Sequence, residues 1–375
     1  MRTDVCETFG IEFPLFAFSH CRDVVAAVTN AGGFGVLGAV AYSPDRLDEE
    51  LRWIDDHVDG RPYGVDVLVP GKIAKEAEAP GDLLSAIPAE HWEFLAGLFE
   101  RYGVPAPDPA AHRGDARRGG RQVTEEGATE LIDVALHHPI RLIAGALGPP
   151  PPLMVERARA ADVPVAALVG TVEHARRQVQ AGADLIVAQG SEAGGHTGEI
   201  STMVLVPEVV DAVAPLPVLA AGGIASGRQM AAAMALGAQG VWCGSVWLTT
   251  EEAETLPAVK AKMLAASSSD TVRSRSRTGK PARQLRSAWT DEWDASPASP
   301  GALPMPLQMI VAEGAMGPIG TAAENGNEGA RQLVNYFVGQ VVGRMNTVKP
   351  ARQVVYEMVA EFGDTLERLT ALGDG

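Results

Sequence analysis

"VPVAALVGTVEHARRQVQAGADLIVAQG", residues 163–190, sets two apolar runs on either side of a polar, Ala- and Arg-bearing segment. The runs, 163–170 and 183–190, are apolar throughout and do not alternate. Strands buried on both faces of a parallel sheet read that way. The segment between them, "TVEHARRQVQAGA", reads as a helix, so the stretch is a strand–helix–strand unit.

The same rhythm extends in both directions. Upstream lie "FPLFAF" (13–18), "GFGVLGAV" (33–40), "YGVDVLV" (63–69) and "IRLIAGALG" (140–148); downstream lie "LPVLAAGG" (216–223) and "GVWCGS" (240–245). Helix-compatible segments separate most of them. After the second run, Ser43 is placed as an N-cap and Pro44 as the first helical residue of "SPDRLDEELRWIDDHV". Eight such units predict an α/β fold, a (β/α)8 TIM barrel. An open doubly wound sheet is the second choice, and the lack of an early G-x-G-x-x-G counts against its dinucleotide-binding form.

The rhythm breaks twice. Residues of about 70–135 read as an insertion after the third strand. It holds one or two helices in "DLLSAIPAEHWEFLAGLFERYG" (82–103) and a mobile Pro-, Gly- and Arg-rich loop in "PAPDPAAHRGDARRGGRQ" (105–122). Residues 251–375 do not form a ninth unit. "NEGARQLVNYFVGQVVGRM" and "PARQVVYEMVAEFGDTLERLTAL" have helical periodicity, so a barrel over 1–250 is expected to carry a mostly helical extension over 251–375.

A chain of 375 residues that is 46% apolar suffices for a barrel of about 250 residues with additions. The net charge of −16 repels phosphate backbones and anionic lipid, which argues against nucleic-acid and membrane-surface roles. No apolar run reaches the roughly 18 residues of a membrane span, and the N-terminus lacks the apolar core of a signal peptide. Three widely spaced cysteines, Cys6, Cys21 and Cys243, suit neither a disulfide framework nor a zinc site and fit a reducing cytoplasm. Oligomeric state is open, a homo-oligomer included.

Active residues of such a barrel sit at the C-terminal ends of its strands. The last two ends, "AAGGIASG" (220–227) and "GVWCGS" (240–245), offer backbone N–H groups at Gly222, Gly223 and Gly244, and the Ser245 hydroxyl, to a phosphate. The helix after Ile224 adds its positive end. The sixth end leads into "GSEAGGHTG" (190–198). Gln189 closes that strand, and His196 is the one titrating base between Ala193 and Gly198. Small residues around it give a flat ligand room. No metal reading competes, because Glu192 and His196 sit in a Gly-rich, non-helical stretch. Cys243, on a buried strand, reads as inert packing.

These motifs resemble the nitronate monooxygenases, formerly 2-nitropropane dioxygenases. The resemblance rests on "GADLIVAQGSEAGGHTG", the following "PVLAAGGIASGRQMAAAMALGAQGVWCGS", "AAVTNAGGFGVLG" (26–38) and "RTGKPAR" (277–283), in that family's order over most of 10–290. It implies noncovalent FMN, with its phosphate at Gly222, Gly223, Gly244 and Ser245. Gln189 lies beside the flavin, Gly194 and Gly195 allow close approach, and His196 is the active-site histidine. The implied reaction oxidises an alkyl nitronate, or a nitroalkane, with dioxygen to a carbonyl compound and nitrite.

The same superfamily contains NAD(P)H-dependent enoyl-ACP and quinone reductases, which are the alternative. The arginine-rich "VRSRSRTGKPAR" (272–283) is the feature that would receive a phosphorylated cofactor. A flavin-binding protein without activity is a third class. Two departures touch the pocket. The first strand end reads "FAFSHCRD" where the family has a "QAPMAG"-like run, which sets His20 and Cys21 either near the mouth or at the start of the next helix. Asp66 stands where the family often has Asn.

Overall fold

The computed structural model describes residues 3–40, 42–67, 80–105, 125–145 and 148–373. Eight parallel strands close into a barrel: β1 (Leu15–Ser19), β2 (Phe34–Gly38), β3 (Gly64–Asp66), β4 (Leu142–Gly145), β5 (Val165–Val169), β6 (Leu185–Gln189), β8 (Val218–Ala221) and β9 (Gly240–Cys243). β9 pairs back onto β1 through Leu15–Val241, Phe16–Trp242 and Ala17–Cys243. All eight apolar runs are barrel strands. β7 (Gly195–His196) lies outside the barrel.

The runs lack polar alternation because both faces of each strand are buried. Phe16 packs inward with Phe34, Leu142, Leu219 and Trp242. Its neighbours Leu15 and Ala17 pack outward with Val24, Val28 and Val209 of the helices. The N-terminal helix Asp4–Phe9 adds Val5, Cys6 and Phe9 to the inner cluster, with the Phe9 ring 5.5 Å from Phe16 and 5.2 Å from Phe34. Ser43 caps the helix Pro44–His57 as expected, its hydroxyl accepting the Arg46 N–H.

The insertion and the tail share one core. The insertion contributes helices Pro80–Ser85 and Ala89–Arg101. Phe94, Leu98 and Phe99 of the second pack with Trp289 and Trp293 of helix Ala288–Ala295 and with Val311 and Ala315 of helix Leu307–Glu324. The loop expected over 105–122 lies, from 106 on, outside the described residues. The last helix, Ala351–Gly373, crosses helix Gly227–Ala235 very closely. A Cβ on Gly227 would lie 2.1 Å from the Met358 carbonyl oxygen.

The tail contains a hairpin, and one stretch with a helical period is mostly not α-helix. The arginine-rich stretch is an antiparallel hairpin, β10 (Thr271–Ser274) with β11 (Ala282–Leu285), and β11 also pairs with β7. In 327–345 only Glu328–Leu333 is an α-helix. The chain then runs extended, and its backbone bonds go to distant partners: Leu285 N–H to the Tyr336 carbonyl, Gly339 N–H to the Ser245 hydroxyl and Gln340 N–H to the Glu192 carbonyl. Lys262 holds the turn by donating to the Arg331, Gln332 and Val334 carbonyls at 2.9–3.1 Å. These long-range bonds outweigh the local helical period.

Candidate active site

The strand ends open into a cavity of about 1930 Å³. That exceeds the roughly 300–1,000 Å³ that suits one small ligand, so a cofactor and a substrate fit together. Every residue assigned to the site from sequence lines it: Asp66, Gln189, Gly194, Gly195, His196, Gly222, Gly223, Gly244 and Ser245.

His196 is not on a free loop. It forms β7 with Gly195, paired across from Ala282 and Arg283. The hairpin gives the Gly-rich stretch the backbone partners that its small side chains do not supply. The His196 Nδ1 lies 3.2 Å from the Pro281 carbonyl oxygen. A carbonyl only accepts, so Nδ1 carries the hydrogen and Nε2 holds a lone pair. Burial, with Lys280 nearby, lowers the imidazole below its ordinary pKa against the opposing pull of the Pro281 carbonyl. The ring is therefore a neutral base near pH 7. Phe337, from the extended tail, stands 6.5 Å from it, ring centre to ring centre.

Gly222 and Gly223 hold left-handed backbone, φ +94° and +70°. A Cβ on Gly222 would meet the Gly190 carbonyl oxygen at 2.9 Å, so glycine is needed there. Among the described residues nothing accepts the N–H groups of Gly222, Gly223 or Gly244. The Ser245 hydroxyl accepts from Gly339 N at 2.8 Å and keeps its own proton to donate. This donor set suits a phosphate.

The helix end expected to assist is already satisfied. Ser226 caps helix Gly227–Ala235, Gln229 takes the Ala225 N–H at 2.9 Å, and Glu361 takes the Gly227 N–H at 2.8 Å. The dipole faces a carboxylate of the chain itself, and among the described residues the unpartnered N–H groups here are those of the two glycine-bearing strand ends.

Gly194 and Gly195 differ in role. A Cβ on Gly194 would lie 2.8 Å from the Val338 backbone, so this glycine admits the tail segment. Gly195, at φ +78°, has open space around it. Glu192 is a clamp, its carboxylate bound to Thr202 at the start of helix Thr202–Val213.

Both residues of the altered first strand end line the cavity. His20 lines the cavity and its Nδ1 donates to the Gly38 carbonyl at 2.9 Å. A Cβ on Gly38 would lie 2.6 Å from that nitrogen, so the glycine seats the ring. Burial lowers the His20 pKa. Cys21 also stands at the N-cap position of helix Arg22–Asn30 without a side-chain capping bond, its thiol donating instead to the Glu252 carbonyl at 3.1 Å. Cys21, Asp23 and Glu254 bring ligand-type atoms within 4.8 Å of one another. Burial raises the Cys21 thiol above its ordinary pKa. Cys243 is pushed by burial to about 12, in keeping with inert packing.

The arginines of the hairpin bond within the chain, while the Nε atoms of Arg273 and Arg277, two residues that line the cavity, have no partner among the described residues. Arg273 and Arg283 donate to the Thr197 and Ser191 carbonyls, Arg275 to that of Gly279, and Arg277 to Asn335 and Glu313. Asn335, Tyr336 and Phe337 line the cavity. They escaped sequence reading because their stretch carries a helical period.

A family model described as "Nitronate monooxygenase" matches residues 3–361. A Mycobacterium tuberculosis protein, Rv1533, named as a candidate monooxygenase, is 62% identical over 375 residues and covers 99% of each chain. A nitronate monooxygenase named in Staphylococcus saprophyticus is 30% identical over 300 residues, covering 76% of this chain and 79% of that one. Among solved structures, nitroalkane oxidase from Streptomyces ansochromogenes is 27% identical with a TM-score of 0.78, covering 97% of this chain and 99% of that one. FabK from Thermotoga maritima is 27% identical with a TM-score of 0.71, covering 99% of both. No helix among the described residues is long and apolar enough to cross a membrane.

Proposed function

Because this chain belongs to the nitronate monooxygenase family, a family of flavin-type oxidoreductases, we propose that it binds FMN and oxidises alkyl nitronates with dioxygen to a carbonyl compound and nitrite. The observation that carries this reading is His196, a neutral base with its Nε2 lone pair free, beside a row of unpartnered glycine N–H groups in one cavity.

The donor set fits the cofactor. Gly222, Gly223 and Gly244 would give backbone N–H groups to the phosphate, and Ser245 its hydroxyl proton. Gln189 and Gly195 would border the ring system. Bound FMN supplies the acceptance of electrons from the substrate and their passage to dioxygen.

The side chains handle binding and protons. With an anionic nitronate, His196 orients the substrate and neutralises its charge by taking up a proton. With a neutral nitroalkane, Nε2 accepts the α-proton: the C–H bond breaks, its electron pair moves onto the nitro group, and the imidazolium holds the proton. Phe337 of the extended tail would flank the substrate beside the histidine.

Nitrite release from propionate 3-nitronate by the FMN-loaded protein tests the reading; no nitrite above a heat-treated control overturns it. The reductase alternative drew on the arginine-rich stretch, whose arginines each donate to a group of the chain itself. Rapid bleaching of the flavin by NADH or NADPH without oxygen would restore that alternative.

A further inference from the structure

Asp66 is a buried ionisable group that this reaction leaves without a task. It ends β3, between Gly38 of β2 and Ala144 of β4. Its neighbours Val65 and Val67 pack outward against the helices. The two-residue period of a strand therefore turns Asp66 inward, where it lines the cavity. The residue is only 7% exposed.

The carboxyl has no partner among the described residues. The Asp66 backbone carbonyl accepts from Ala39 N, but among the described residues no donor reaches the side-chain oxygens. Titratable groups that line the same cavity include His20 and Cys21 from the β1 end, Tyr42, Asp45 and Arg46 from the β2 end and helix Pro44–His57, Glu130 from helix Glu125–His137, and His174 and Arg177 from helix Val172–Gln180. None forms an ion pair with Asp66. His20 donates Nδ1 to Gly38, and Arg46 pairs with Glu49 and Glu50. Burial alone pushes the Asp66 carboxyl up to about 7. Buried polar groups nearly always have a hydrogen-bond partner, and among the described residues Asp66 faces the cavity. A neutral carboxylic acid can donate there as an amide does.

We propose that Asp66, as a neutral carboxylic acid, donates a hydrogen bond to the bound flavin, and that its ionisation makes the cofactor harder to reduce as the pH rises. This rests on the flavin-binding reading above. The sign follows from charge. Reduction adds negative charge to the cofactor, and a carboxylate beside it in a low-dielectric pocket opposes that addition.

Asp66→Asn keeps the shape and the donor and cannot ionise. The first measurement needs no cofactor. The infrared difference between wild type and D66N should contain the carbonyl band of a protonated acid well below pH 7 and lose it well above. The second is the midpoint potential of the FMN-loaded proteins against pH. The two curves should coincide well below pH 7 and separate above it, with wild type lower.

Parallel curves at every pH overturn the proposal while leaving nitrite release, and so the nitronate reading, intact. Absence of the acid band from FMN-loaded wild type at low pH also overturns it, because Asp66 would then be an ionised acceptor. Failure of the protein to take up FMN overturns the cofactor reading and the flavin contact together, whatever the infrared band reports of Asp66 itself.

Discussion

The Glu192 carboxylate accepts both the backbone N–H and the hydroxyl of Thr202, each at 3.0 Å. The Glu192 backbone carbonyl takes the Gln340 N–H at 2.9 Å. One residue thus ties the Gly-rich loop to the helix behind it and to the tail in front. Glu192→Ala should cost about 1 kcal/mol of stability for the lost cap and weaken FMN binding about tenfold. Glu192→Gln, which still offers an acceptor, should stay near wild type. A titration of FMN into the apoproteins checks this; wild-type affinity in E192A would refute the clamp.

Gly194 and Gly195 are adjacent but should respond differently to a methyl group. Alanine at 194 must displace the Val338–Gly339 backbone and with it the Gly339–Ser245 hydrogen bond. The expected loss is roughly 1–3 kcal/mol. Alanine at 195 meets open space and bears only left-handed backbone strain, about 1–2 kcal/mol. FMN affinity should fall further in G194A than in G195A. Thermal melts and FMN titrations of both variants check the order.

His196 works as a base only when neutral, and burial with Lys280 holds its pKa below the ordinary value. Activity on a neutral nitroalkane should persist below pH 6.5 and fall as the pH drops through the lowered pKa. Lys280→Gln removes a positive neighbour, so the acidic limb should move to higher pH. His196→Asn should lose far more activity on the nitroalkane than on the preformed nitronate. Equal losses on both would exclude proton abstraction.

Much of this was legible in the sequence for a physical reason. A barrel strand is apolar on both faces, and a run such as "ADLIVAQG" states that locally. Ser43 and Pro44 gave the helix start the same way. Val334–Gly339 was not legible. Leu333, Val334, Phe337 and Val338 stand at helical spacing, and the bonds that extend the chain reach Ser245 and Glu192, about 90 and 150 residues away in sequence. The pairing of His196 with Ala282 was hidden likewise. Asp66 was visible as a departure from the family, but its protonation depends on burial, which no local pattern reports.

That burial has a consequence for stability. A carboxyl raised from 3.8 to about 7 binds its proton more tightly in the folded than in the unfolded protein. Its contribution is full below the unfolded value and is lost as the pH rises through 7. At roughly 1.4 kcal/mol per unit the loss amounts to about 4 kcal/mol. The apoprotein should therefore lose stability between pH 4 and 7 relative to D66N. Urea unfolding of both at several pH values measures the difference, and parallel profiles would show Asp66 already ionised.

Glu361 separates two accounts of how the phosphate is held. Its carboxylate takes the Gly227 N–H at 2.8 Å and the Arg228 guanidinium at 2.6 Å, at the helix end that a phosphate would otherwise use. These bonds hold its pKa below the ordinary range despite opposing desolvation. Its stabilisation is therefore present above the unfolded carboxyl pKa and is lost as the pH falls through the lowered folded value. Glu361→Gln should cost about 1 kcal/mol near neutral pH and less in acid. FMN affinity should not change, because the phosphate is assigned to Gly222, Gly223, Gly244 and Ser245. If the helix end competes for the phosphate, removing the negative charge should instead tighten FMN binding, and calorimetric titration of FMN into E361Q distinguishes the two.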